Sequence, residues 1–405
     1  MSQAAPPTVS LILLSRGRPA LLARCLTAVA QMDHPAFEVI VVADPAGLAV
    51  ARSHPVRTVA FDEANISAAR NLGIAAAAGD IVAFTDDDAV PEPLWLSHLT
   101  RPFADSAVLA AGGHVLGWNG LSFEWTGGLV DRALNETRWP QGTGGTTVHA
   151  NRPGLAVEVK GVNCAYRRDR LLQLGGFDPQ LRYYLDETEL NLRLANLRGL
   201  TAIVPDARVH HMKAESDQRH ADRAPKSLYD IGYSTAITLG RHDHGATEPR
   251  AQRRQEQVTK LETYLRARRM TDAQAQALLL TYDQGFAAGR AVGPAPIGPM
   301  KSQAGAFLPI PAGPRPLTTL SGRSWQRRTL AAKARTLAEQ GHIVRLFAFS
   351  PTALYHQRRF EGGVWVQRGG LFGRSLRTDP VFRWWRFSRR LSRESALFLS
   401  GFRKT

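Results

Sequence analysis

Cysteine is almost missing from this chain: Cys25 and Cys164 are the two in 405 residues, each inside an apolar or patterned segment. Two isolated thiols exclude a disulfide framework and fit a reducing compartment, so a cytoplasmic location is expected. Long apolar runs are missing as well. No stretch reaches the roughly 20 residues of a bilayer-spanning helix, and Met1 to Pro7 has no basic segment leading into an apolar one, so no secretory leader is expected. Acidic residues are scarce in one region. From Arg315 to Thr405 there are 4 Asp+Glu against 19 Lys+Arg, whereas residues 1–314 hold 31 against 32. The net charge of +16 therefore belongs to the tail. Material for a core is ample: 44% of the residues are hydrophobic, and the length exceeds that of one ordinary domain.

Against this background one acidic cluster stands out. Asp86, Asp87 and Asp88 follow directly on the apolar run Ile81-Val82-Ala83-Phe84. Adjacent carboxylates repel, and on a loop after a buried strand they face the crevice where α/β sheets bind ligands. A hard cation such as Mg²⁺, which takes a few carboxylates together with substrate phosphates, answers that repulsion. A solvated acidic turn is the plain alternative.

The chain upstream alternates strand and helix signals. Val9 to Leu14 is a near-continuous apolar run, suited to a strand buried on both faces. The turn Ser15 to Pro19 places proline at a first helical position, and Leu21, Leu22, Cys25, Leu26 and Val29 follow at helical spacing. Phe37 to Val42 reads as a second strand ending at Asp44-Pro45, and Val56, Val59 and Phe61 suggest a third. Asn65 is placed to cap an Ala-rich helix from Ile66 to Ala77, and Gly79-Asp80 leads into the strand before the aspartates. The order predicts an α/β domain with a largely parallel sheet.

Taken together, VSLILLSRGRP, EVIVVADP, ISAARNLGIAAAAGD and IVAFTDDDAVPEPLW resemble the nucleotide-binding half of family 2 glycosyltransferases, which have the GT-A fold, a Rossmann-like, mostly parallel sheet. The resemblance implies a nucleotide-sugar donor held by Ser15, Asp44, Arg70, Asn71 and Asp86, and a divalent metal, Mg²⁺ or Mn²⁺, on Asp86 and Asp88. Where the family usually has Asp-Asp-Gly-Ser after the second strand, this chain has Ala43-Asp44-Pro45-Ala46, keeping one carboxylate. The chemistry agrees: a leaving nucleoside diphosphate gathers negative charge that a Lewis-acidic ion neutralises.

About a hundred residues on, Gly161 to Arg168, Gly175-Gly176-Phe177-Asp178 and Tyr184 to Leu194 resemble the acceptor half of the same family. By that resemblance Gly161 and Asn163 line an acceptor site for a saccharide or lipid-linked saccharide. Glu187 is the general base, and Asp186 is held in reserve because the acid order is reversed. Carboxylates in a first helical turn also have an ordinary explanation in the helix dipole. A histidine after Pro205-Asp206 completes the metal shell in similar enzymes, and spacing favours His211 over His210. The resemblance covers about residues 8–240 and implies inverting transfer.

Composition divides the chain into a catalytic domain over 1–240, a helical extension over 241–290, a Pro/Gly-rich linker over 291–322 and a small basic α/β region over 323–405. Helices are expected at Ala224 to Leu239, Gln252 to Arg269 and Asp272 to Ala288. Beyond the seven prolines between Pro294 and Pro316, a helix is expected at Ser324 to Gln340 and strands at Ile343 to Phe349 and Val364 to Val366. Gly117 to Gly154, with Gly127-Gly128 and Gly142 to Gly145, reads as a mobile loop over the site. Pro380 to Phe402 interleaves Trp384, Trp385, Phe387 and Leu391 with five arginines, a pattern for peripheral binding to an anionic membrane surface at about 1 kcal/mol per surface cation. Acidic polysaccharide or RNA would suit the same residues, though nucleic acid is not the expected partner. Two other readings are a nucleotidyltransferase, for which the Ser15 to Pro19 turn is a poor triphosphate loop, and a non-enzymatic polyanion-binding protein.

Overall fold

The structure, a computed structural model, describes residues 7–140, 144–212, 214–243 and 247–403. Its centre is one twisted sheet. The strands Arg57–Ala60, Phe37–Ala43, Val9–Ser15 and Ile81–Asp86 lie side by side and all run parallel. Cys164–Arg167 continues the sheet antiparallel to Ile81–Asp86, followed by Val108–Leu116 and, parallel to that, Leu200–His211. Strands buried on both faces are written largely in apolar residues, as Val9–Ser15 and Phe37–Ala43 are, and the polar pair inside them is satisfied internally, Ser10 Oγ donating to the Glu38 carboxylate at 2.6 Å.

This topology delivers the polar residues to one edge. The first, second and fourth strands end there in Ser15, Ala43 and Asp86. The antiparallel strand Cys164–Arg167 starts there, just after Gly161 and Asn163, and Leu200–His211 ends there in His211. Ala89–Pro91 then pairs antiparallel with the end of that last strand, with Ala89 opposite His211.

The helices Pro19–Val29 and Ile66–Ala76 begin where the sequence places them, the latter capped by Asn65, and a further helix that the sequence reading does not assign, Pro45–Ala51, is capped by Asp44. The extension is also helical, as Tyr229–His242, Thr247–Arg266 and Asp272–Val292. The first and third of these approach closely because Gly232 and Gly285 leave room for the backbone of the other helix.

Three expectations on loops are corrected. Gly117 to Gly154 is not one open loop but carries four short paired strands. Leu155–Glu158, Gly128–Asp131 and Glu136–Arg138 form a small antiparallel sheet, and Thr147–Ala150 joins the edge of the central one; Gly142 lies outside the described residues. Residues 294–316 have the irregular backbone their prolines demand, yet they form a strap fastened to the catalytic domain. Met300 N donates to Leu172 O at 2.8 Å, Gln303 N to Ala75 O at 2.8 Å and Ile310 N to Phe37 O at 2.8 Å. Leu317–Arg323, assigned to the linker on composition, is a strand.

That strand opens the C-terminal unit, a four-stranded sheet in which Leu317–Arg323, Ile343–Ser350 and Val364–Gly370 are parallel and Gln357–Glu361 is antiparallel. It packs on the catalytic domain through Ile343, Phe360, Trp365 and Phe402 against Ala28 and Val90. Gln31 fastens the contact: its Nε2 donates to Gly363 O at 2.7 Å, and its Oε1 accepts from Trp365 Nε1 at 3.2 Å.

Candidate functional site

The three aspartates do different work because the turn points them in different directions. Asp87 goes inward, where its carboxylate accepts from Ser15 Oγ at 2.8 Å and pairs with Arg18 Nη2 at 2.5 Å. Asp86 and Asp88 face the crevice with His211, and one ligand atom from each lies within 4.8 Å of the others. His211 Nε2 is 3.3 Å from Asp88 Oδ1, and Arg18 Nη1 is 3.3 Å from Asp88 Oδ2. Successive strand residues point to opposite faces, and His210 accordingly turns away. It lies 3.0 Å from the buried Glu92 and 5.0 Å from the ring of Trp365.

The electrostatics suit a cation. Burial lifts the Asp86 carboxyl above its ordinary range against the pull of Arg70, and the neighbouring Asp88 adds to the rise. Burial disfavours a charged His211, but hydrogen bonding to Asp88 and Glu124 outweighs it and raises the ring to about 9. Two carboxylates and an imidazole form a donor set that Mn²⁺ or Mg²⁺ accepts.

Arg70 connects this corner to the helix that begins at Asp186. Although it lies on an Ala-rich helix it is buried, stacked 5.0 Å over Phe177 and 5.7 Å over Phe84. Its guanidinium is 3.7 Å from Asp86 and in direct ion-pair contact with Asp186. Gly161 makes room for it: a Cβ there would meet the guanidinium carbon at 2.9 Å.

Asp186 and Glu187 open the helix Asp186–Ala195 and are presented by an unusual turn. Tyr184 and Leu185 both have left-handed backbone, with φ of 74° and 65°. Such residues cost about 1–3 kcal/mol each and persist where the surrounding structure holds them. Asp186 is buried and engaged with Arg70. Glu187 is half-buried, and its carboxylate has no hydrogen bond or ion pair with any described residue.

Other expected site residues serve as framework. Asp44 accepts from Gly47 N at 2.9 Å and Gly17 N at 3.0 Å, tying together the loops after the first two strands. Asn71 donates to Phe177 O at 2.8 Å and accepts from Phe177 N at 2.8 Å. Asn163 is fully buried, donating to His114 O and Ala207 O at 2.9 Å each and accepting from Trp95 Nε1 at 2.7 Å. It supports the crevice from beneath and is not at the surface an acceptor would touch.

The sequence reading passes over Arg18, the inward role of Asp87, and Lys160. Lys160 Nζ lies 2.8 Å from both Glu136 and Glu158 and 4.6 Å over the Trp125 ring. Glu158 in turn accepts from Thr188 Oγ1, one residue past Glu187, at 2.7 Å. The i, i+2 spacing of Glu158 and Lys160 was the available signal, since it puts both on one face of an extended segment.

Residues 10–172 match the family described as glycosyl transferase family 2. The protein carries a family 2 glycosyltransferase domain. No curated protein matches by sequence. Among solved structures, the chain is similar to GalNAc-T7 with UDP, GalNAc and Mn²⁺ at 17% identity and a TM-score of 0.46, over 58% of this chain and 48% of that one. The chain thus spans about half the length of that protein. It is also similar to the mannosyltransferase PcManGT from Pyrobaculum calidifontis with GDP-Man and Mn²⁺, at 19% identity and a TM-score of 0.40, over 73% and 78% of the two chains. The S. aureus TarS 1-349 complex with UDP-GlcNAc is similar at 17% identity and a TM-score of 0.43, over 61% and 70%. The transferase domain has the GT-A arrangement, a mostly parallel α/β sheet with its polar crevice at the carboxyl edge. Among the described residues no helix is long and apolar enough to cross a membrane.

Proposed function

We propose that this glycosyltransferase moves a sugar from a nucleotide-diphosphate donor to a hydroxyl of a saccharide or lipid-linked acceptor, with metal assistance and with inversion. The observation that carries the reading is the convergence, at one sheet edge, of the Asp86, Asp88 and His211 set with the carboxylate of Glu187, which makes no hydrogen bond or ion pair among the described residues.

A divalent ion on Asp86, Asp88 and His211 would supply Lewis-acid neutralisation of the diphosphate. Arg18 and Arg70 bracket that position and offer fixed positive charge where the leaving group gathers negative charge. On the acceptor side a hydroxyl nucleophile must lose a proton as it attacks. Glu187 has free oxygens to receive it, whereas the Asp186 carboxylate is occupied by Arg70. A single available base fits one direct displacement, and therefore inversion.

A panel of nucleotide sugars with Mn²⁺ or Mg²⁺ tests the reading. The matching donor should raise the melting temperature only with metal, because ligand binding to the folded state stabilises it by mass action. Transfer should then yield a product with the anomeric configuration opposite to the donor's, read by proton NMR. Metal-independent turnover, or retention of configuration, would overturn it.

A further inference from the structure

The basic tail does not act as a free appendage, and its folding separates its residues into two groups. Trp385, Phe387 and Leu391 pack inward on Phe347, Phe349 and Leu371. The two acids of the segment, Asp379 and Glu394, are both engaged by arginines: Arg393 is 2.5 Å from Asp379, and Glu394 accepts both Arg390 and Arg393. That leaves Arg377, Arg383, Arg386 and Arg389 exposed with no acid partner among the described residues.

Beside these arginines the apolar side chains point outward. Trp384 is 76% exposed, Val381 68% and Phe382 50%. Phe382 and Trp384 pack on each other and on Phe372, with centroids 4.7–5.8 Å apart. Two further exposed residues come from elsewhere in the sequence: Trp325 at 69%, after the strand Leu317–Arg323, and Leu354 at 63%, after Ile343–Ser350. Phe372 follows Val364–Gly370. These three strands are parallel, so their carboxyl ends share one edge, and all of these groups project from it.

We propose that the carboxyl edge of the C-terminal sheet is a docking face for an anionic lipid surface. Exposed tryptophan and phenylalanine among unpaired arginines match the boundary between headgroups and acyl chains, where aromatic rings insert and cations meet anionic lipid. A soluble polyanion would be satisfied by the arginines and gives no reason for Val381, Leu354 and Trp325 to be exposed together. The inference does not depend on the chemistry proposed for the crevice.

The test uses the full-length protein and sedimentation with vesicles of phosphatidylcholine alone or with phosphatidylserine. Binding should need the anionic lipid and weaken with salt. Arg383→Glu, Arg386→Glu and Arg389→Glu together should cost roughly a hundredfold or more in affinity. Phe382→Ala with Trp384→Ala should cost about tenfold at unchanged charge. These side chains are exposed, so the variants should melt like the parent. Independently of any variant, brominated lipid should quench the tryptophan fluorescence of the parent protein. Equal binding to neutral vesicles, full retention by the triple variant, or absence of quenching would overturn the proposal. So would tighter binding to RNA or acidic polysaccharide that is indifferent to Phe382 and Trp384.

Discussion

The Arg70 guanidinium lies against Gly161, where a Cβ would stand 2.9 Å from its central carbon. The same guanidinium pairs with Asp186 and reaches Asp86 at 3.7 Å, so one glycine makes room for the cation between the aspartate turn and the helix Asp186–Ala195. Gly161→Ala should therefore displace Arg70 without disturbing the central sheet. A displacement of about 1 Å in a reacting constellation typically costs a hundredfold, and a transfer loss of that order is expected with little change in melting temperature. Near-normal transfer by Gly161→Ala would show that Arg70 need not hold this position.

The opposite facings of His210 and His211 give a second prediction. His211→Gln and Asp88→Asn should each weaken Mn²⁺ binding at least as much as losing an outer-sphere partner does, about 10- to 100-fold. His210→Gln should leave the affinity unchanged, because His210 turns to Glu92. Calorimetric titration of Mn²⁺ without donor reads this apart from turnover. Equal losses at both histidines would argue against the assigned ligand set.

Two buried histidines should each cost stability on mild acidification. Burial, aided by Arg208, lowers His114 to about 4; burial, aided by Arg390, lowers His356 to about 4. An unfolded histidine titrates near ~6.5, so below that pH the unfolded chain takes up protons that the folded one refuses. The contribution is therefore full above about 6.5 and is lost as the pH falls toward 4. At pH 5 each ring should cost roughly 2 kcal/mol relative to pH 7.5. Asp87, raised by burial to about 7, and His211, raised to about 9, work in the opposite sense over this range, so the readout is parent against His356→Gln in denaturant titrations at the two pH values, where the variant should lose roughly 2 kcal/mol less on acidification. An identical pH dependence in the two proteins would mean that His356 is charged in the folded state.

What the sequence made legible follows from local physics. The first, second and fourth strands are buried and so are written as largely apolar runs, and Asn65 reads as a cap because capping is a local contact; Asp44 caps its helix in the same way although its place in the pattern marks it for the donor. The outward direction of Asp86 and Asp88 and the inward direction of Asp87 are not written locally, since Arg18 and Ser15 decide them from another loop. Asn163 illustrates the same limit: its position in the pattern suggests contact with an acceptor, but its bonds to Trp95, His114 and Ala207 form only once the sheet is assembled. The strap over 294–316 is irregular by composition, and its anchoring at Leu172, Ala75 and Phe37 is purely tertiary.

The reversed acid pair gives the most discriminating experiment, because the two carboxylates have different surroundings. Removing the charge of Asp186 leaves Arg70 buried without its closest partner, and breaking a buried pair typically costs about 3–5 kcal/mol. Asp186→Asn should therefore lower the melting temperature clearly, and its loss of transfer should come with weakened donor binding, since Arg70 also faces Asp86. Glu187 has no such partner among the described residues, so Glu187→Gln should melt like the parent and bind donor and metal normally, while transferring roughly a hundredfold or more slowly for want of a proton acceptor. Thermal denaturation, donor affinity and single-turnover transfer on both variants separate the roles. Normal transfer by Glu187→Gln, together with an inactive but fully stable Asp186→Asn protein, would assign the base to Asp186 and leave Arg70 to orient it.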